Sequence, residues 1–177
     1  LGYLFWTYLK AVKNSDKFSI SSGNKTVSLV FLILVCIQIL LGGMMSGMKA
    51  ALMYPTFPKM GGHCIDPVIF EASSWQIKHF IDYDVYSFLP ALVQLLHRSM
   101  AMSILVLFII AWQKWNIKVI KWIALILGLQ ILLGIFTLIN SIGKIPLSLG
   151  VFHQAVGIVL LLAAVRWYFE CSRALDK

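Results

Sequence analysis

Apolar side chains occupy four long blocks of the chain. Thr26 to Met48 is free of ionisable residues except Cys36, and Trp122 to Gly143 has none. Val85 to Gln113 is broken only by His97 and Arg98, and Ile145 to Val165 only by His153. Each block exceeds the roughly 20 residues that a helix needs to cross a hydrocarbon core of about 30 Å. Lipid offers an unpaired backbone group no partner, so helices are the form such blocks must take. The pattern predicts four spans, over about 27–48, 86–112, 117–140 and 147–168. The run Leu1-Gly-Tyr-Leu-Phe-Trp-Thr-Tyr-Leu-Lys10 is apolar but too short to span, and it lacks the charged start of a signal peptide. It reads as the last turns of an earlier membrane helix. The expected organisation is that helix end (1–10), a cytoplasmic linker (11–26), a four-helix membrane domain (27–168) with one long outer loop (49–85), and a cytoplasmic tail (169–177).

Composition agrees. Hydrophobic residues make up 60% of the 177 and charged residues only 12%, about half the charge of a soluble domain. The fold class is therefore all-α and integral to the membrane. The net charge of +8 does not point to nucleic acid, because the basic residues stand singly at the ends of apolar blocks and form no stripe. They report topology instead. Lys10, Lys13, Lys17, Lys25, Lys114, Lys118, Lys121, Arg166, Arg173 and Lys177 fall on one side of the four spans, and Lys49, Lys59, Lys78 and Lys144 on the other. The positive-inside rule puts the first set, and both ends, in the cytoplasm. Trp6, Trp112, Trp115, Trp122 and Trp167 then form an aromatic belt at the cytoplasmic face. The long outer loop carries aromatics and three prolines, Pro55, Pro58 and Pro67, which favour a packed cap over a disordered connection.

An internal repeat orders the spans. Gln38-Ile-Leu-Leu-Gly42 in the first recurs as Gln130-Ile-Leu-Leu-Gly134 in the third, and His97 in the second answers His153 in the fourth. Two copies of one helical hairpin make a pseudo-symmetric four-helix bundle that can set related residues face to face. Ionisable groups inside a membrane read as functional by default. At 1.5 Å per residue, His97 and His153 lie at similar depth on two helices running the same way. Facing imidazoles at one depth could supply both axial ligands of a heme iron. Gly150 and Gly157 flank His153 on its own helix face, and Ala101 does the same for His97, leaving room for a flat macrocycle. The bland alternative makes each histidine a hydrogen-bonding group between helices and each glycine a packing site. Two histidines without a third ligand make a poor zinc site. Arg98 is a candidate partner for a heme propionate, for a polar group of the outer loop, or for water by snorkelling. Lys49 and Lys144 are further propionate candidates. Gly43-Met-Met-Ser-Gly47 has the spacing of a close-packing motif. Cys36, Cys64 and Cys171 fall at three different levels, so no two are placed to pair.

Several segments, in order and spacing, resemble the C-terminal half of the heme A synthase family. They are Leu41-Gly-Gly-Met-Met-Ser-Gly-Met-Lys-Ala50, Tyr54-Pro-Thr-Phe-Pro-Lys-Met-Gly-Gly62, Val93-Gln-Leu-Leu-His-Arg98, Leu129-Gln-Ile-Leu-Leu-Gly-Ile-Phe-Thr-Leu138 and Phe152-His-Gln-Ala155. The resemblance implies half of an eight-helix membrane oxidoreductase that converts heme O to heme A for terminal oxidases. It implies a heme b held by His97 and His153, with the catalytic half outside this sequence. Heme O and heme A are then substrate and product, and a heme O synthase or terminal oxidase subunits are candidate partners. The implied location is a bacterial plasma membrane rather than a mitochondrial one. Phe88 and Leu89 stand where members often have a Glu-Asn pair, and Cys64 stands where many have two cysteines. Two other readings remain open: a stand-alone membrane cytochrome b taking electrons from quinol, and a non-heme assembly or transport protein.

Overall fold

The computed structural model describes residues 1–12, 22–115 and 118–173. Lys13, Lys17 and Lys177, most of the expected linker, and the end of the tail lie outside the described residues. Six α-helices are present among them: α1 (Gly2–Val12), α2 (Ser22–Gly47), α3 (Ile77–Ile81), α4 (Phe88–Lys114), α5 (Lys118–Ile139) and α6 (Leu147–Arg173). The described residues contain no strand, only an isolated bridge between Met60 and His63. The chain is an all-helical integral membrane protein, because α2, α4, α5 and α6 are each long and apolar enough to cross a bilayer. The 27 residues of α4 and of α6 extend about 40 Å, and the 22 of α5 about 33 Å. All three exceed the hydrocarbon thickness. Along α5, Trp122, Leu125, Leu129, Leu132 and Phe136 recur every three or four residues and are exposed, while Ile120, Ile123 and Leu127 are buried. An apolar stripe left open in this way is the face that lipid covers.

The chain divides into two compact units, and each long helix contributes a segment to both. The first comprises Leu1–Ile37, Met102–Gln130 and Ala155–Lys177. Its core is aromatic: Phe31 lies 5.5 Å from Trp167 and 6.1 Å from Phe108, centroid to centroid. The Trp167 indole donates to Asn24 Oδ1 at 2.9 Å, a bond in which both groups are fully buried. Trp167 is therefore not a lipid-facing belt residue, as its position near a helix end suggests; the polar partner on α2 draws it inward. Helix α1 joins the same unit, with Leu9 buried and Trp6 edge-on to Phe169 at 4.9 Å.

The second unit comprises Gln38–Ala101 and Ile131–Gln154. Here the loop between α2 and α4 is ordered by three short 3-10 turns and α3. Lys49 ends α2 with a left-handed φ of 51°. Asp66 caps the turn Pro67–Ile69 by accepting the Val68 N–H at 2.8 Å. Met60 and His63 exchange two backbone bonds, of 2.7 and 3.2 Å, across Gly61 and Gly62. Both glycines have positive φ, 60° and 104°, which is why this tight reversal takes two of them. A Cβ on Gly61 would also come within 3.1 Å of the Tyr54 ring. Met60 and Ile69 are buried against Ala91, with Tyr54, Val68, Leu92 and Leu95 around them. Trp75 and Phe80 pack edge-on to Phe88, at 4.9 and 5.2 Å. The loop is thus a packed element seated on the first turns of α4.

Candidate functional site

Helix α4 sets Gln94, His97 and Arg98 on one face, at i, i+3 and i+4. Helix α2 presents Gln38 and Gly42, four residues apart and so on one face as well. The Gln38 amide nitrogen lies 3.2 Å from His97 Nε2 and 3.1 Å from the His97 carbonyl oxygen. One turn on, a Cβ on Gly42 would stand 3.4 Å from His97 Cε1. The imidazole therefore lies against a glycine and under an amide of the neighbouring helix. The second copy of the motif has the same glycine contact, more tightly. A Cβ on Gly134 would come 2.9 Å from His153 Cε1, closer than a real side chain tolerates. Sequence reasoning uses Gln38-Ile-Leu-Leu-Gly42 and Gln130-Ile-Leu-Leu-Gly134 as marks of symmetry. Their glycines are in fact the backs of the two histidine niches, and a Gln-to-Gly spacing of one helical turn opposite a histidine is the signal that could have found them.

His97 and His153 both belong to the second unit. Gly150 meets nothing within 4 Å of an added Cβ. Gly157 lies in the other unit, where such a Cβ would stand 3.3 Å from the Gln130 amide nitrogen. The glycine immediately against the His153 ring is Gly134. Gly43 and Gly47, with the spacing of a packing motif, face open space within 4 Å. The close approach on α2 is made by Gly42.

Arg98 does not reach toward water. Its Nη1 donates to the carbonyls of Pro58 and Lys59 at 3.1 Å each, and its Nη2 to those of Thr56 at 2.8 Å and Tyr54 at 3.3 Å. Gln94, fully buried, adds a bond from its amide to the Tyr54 carbonyl at 3.2 Å. The outer loop is one of the partners open to Arg98, and the guanidinium meets it through Nη1 and Nη2. Carbonyl oxygens converge on the guanidinium because the Pro55–Pro58 segment cannot turn them into a regular ladder. Beneath this clamp, burial, and then the hydrogen bond and charge of Asp66, push the Tyr54 phenol above its ordinary range. Lys49 and Lys144 are exposed.

Four polar atoms around His97 are buried without a hydrogen-bond partner: Gln38 Oε1, Gln94 Oε1, His97 Nδ1 and Arg98 Nε. Buried polar atoms are nearly always satisfied, so such a cluster calls for an explanation. Among the described residues no three His, Cys, Asp or Glu side chains come together as a metal site.

These features define a multi-pass membrane protein with two histidines of its apolar helices in one compact unit. The chain belongs to the cytochrome oxidase assembly protein family COX15-CtaA, whose sequence model matches residues 1–165. It is similar to proteins named heme A synthase: 32% identical over 161 residues to that of Wolbachia sp. subsp. Brugia malayi, covering 90% of this chain and 45% of the relative. The heme A synthase of Nitrosospira multiformis is 33% identical over 175 residues, covering 93% and 46%. That of Brucella anthropi is 35% identical over 146 residues, covering 77% and 37%. The chain thus spans less than half the length of these curated relatives. No solved structure matches it.

Proposed function

We propose that this chain is the heme-b-binding half of a heme A synthase, with His97 and His153 as the two axial ligands of the iron. The observation that carries the reading is that two imidazoles of one membrane unit are each seated against a glycine of the repeated motif. A free metal ion needs three or more protein ligands, which the described residues do not assemble. A heme iron needs only two, because its macrocycle supplies the rest. The orphaned Gln94 and Arg98 atoms beside His97 and the open space at Gly150 support a bound group there. Bound there, a heme b supplies one-electron transfer.

The chain's own residues then have defined tasks. His97 and His153 present nitrogen lone pairs at one level. Gly42 and Gly134 let the rings lie close to α2 and α5. Arg98 and Gln94 hold the loop over the same turn of α4, which keeps water from that end of the site and preserves a low dielectric. Converting the heme O methyl group to the formyl group of heme A is a four-electron oxidation that also inserts one oxygen atom, and a heme b held by His97 and His153 would supply one-electron transfer to it. Both ends lie in the cytoplasm and the loop over 49–85 outside, by the distribution of lysines and arginines. The heme A synthase reading outranks a plain cytochrome b because the relatives carry that name across most of this chain.

The test is heme extraction from membranes of cells that make heme O and the full gene product containing this chain. Heme A accumulates with the wild type and falls to background with His97→Ala or His153→Ala at equal protein level. Unchanged heme A in both variants would overturn the reading.

A further inference from the structure

The Gln38 amide makes two contacts with one residue of another helix, and together they fix a proton. The atom 3.1 Å from the His97 carbonyl oxygen must be a donor, because an amide oxygen there would face another oxygen. It is therefore the NH2 group that also lies 3.2 Å from His97 Nε2. A donor facing Nε2 requires a lone pair on that nitrogen, so the proton of the neutral ring sits on Nδ1. The opposite tautomer would set two N–H groups against each other. It would gain nothing in return, because Nδ1 has no partner in either case. The ring cannot escape by turning over, because Nε2 would then give way to a carbon and the Gln38 bond would be lost.

We propose that Gln38 is a positioning residue for His97: its amide holds the imidazole in the Nδ1–H tautomer and caps the Nε2 lone pair that an incoming iron takes. The heme-free chain is thus already in the ligating tautomer, and ligation exchanges an amide hydrogen bond for the metal. The second hydrogen bond, to the His97 carbonyl, keeps Gln38 on its helix face when the first is given up. The tautomer claim stands on the heme-free chain alone; the capping claim rests on the heme reading above.

The experiment uses the full chain in detergent, labelled with 15N at the histidine rings and assigned with His97→Ala. In the heme-free wild type His97 gives one neutral Nδ1–H pattern, and in Gln38→Leu it gives a mixture of both tautomers. Ferric heme b titrated into each chain binds Gln38→Leu about two- to tenfold more tightly, the range of one neutral hydrogen bond. Gln38→Met serves as a second variant should the leucine chain not fold. A His97 tautomer unchanged in the variants would overturn the proposal, as would heme binding weakened by them. A tautomer change in chains that take up no heme would establish the hold of Gln38 on His97 and remove only the heme reading.

Discussion

At the scale of single residues, the two glycines behind the histidines do work that their neighbours do not. The distances grade the expected effects. A methyl group on Gly134 would overlap His153 Cε1 at 2.9 Å, one on Gly42 would press His97 Cε1 at 3.4 Å, and one on Gly43 would meet nothing within 4 Å. The atom struck is the far end of a side chain, so the imidazole moves before the backbone does. Gly134→Ala should therefore cost little in thermal stability but weaken heme binding at least about tenfold, the scale of a modest overpacking strain. Gly42→Ala should have a smaller effect in the same direction. Gly43→Ala should leave binding unchanged and raise helix stability slightly, since alanine loses less backbone entropy. Heme titration beside a thermal melt checks the series, and equal effects at all three positions would contradict the niche assignment.

At the scale of elements, the loop between α2 and α4 is held by side chains of one helix face. Arg98 takes four of its carbonyls and Gln94 one of the same set. Arg98→Gln keeps a polar group but cannot reach four acceptors, so the Tyr54–Lys59 segment should open. The expected loss is about 2–3 kcal/mol, the range for hydrogen bonds to a charged group, read as faster protease cleavage within the loop while α4 stays helical. Cleavage at the wild-type rate would show that the aromatic packing of Trp75, Phe80 and Phe88 holds the loop without the clamp. The four spans were legible in the sequence because an unbroken apolar block of sufficient length has one stable form in lipid. The loop's path was not, because it depends on one guanidinium meeting carbonyls about 40 positions away, which no local pattern encodes. The same limit hid Gln38. It is recognisable as half of a repeat, but its partner is set by how α2 meets α4. Trp167 shows the opposite case, a residue whose position at a helix end suggests lipid and whose buried partner, Asn24, decides otherwise.

At the scale of the whole molecule, the chain has two hairpins of one repeat, each presenting a histidine from its second helix against a glycine of its first. On the proposed heme reading, the duplication explains why the site would need no third protein ligand: its two equivalent histidines would hold the iron. It also explains why Arg98 has no counterpart beside His153, where Gln154 follows, since only the first hairpin carries a long loop to be clamped. The most direct test is the optical spectrum of the purified chain reconstituted with heme b, oxidised and dithionite-reduced, beside His97→Ala and His153→Ala. The expected result is a sharp low-spin b-type spectrum in the wild type that is lost in both variants while their helical content is retained. A chain that stays colourless with ample heme, or a low-spin spectrum that survives either substitution, would contradict it.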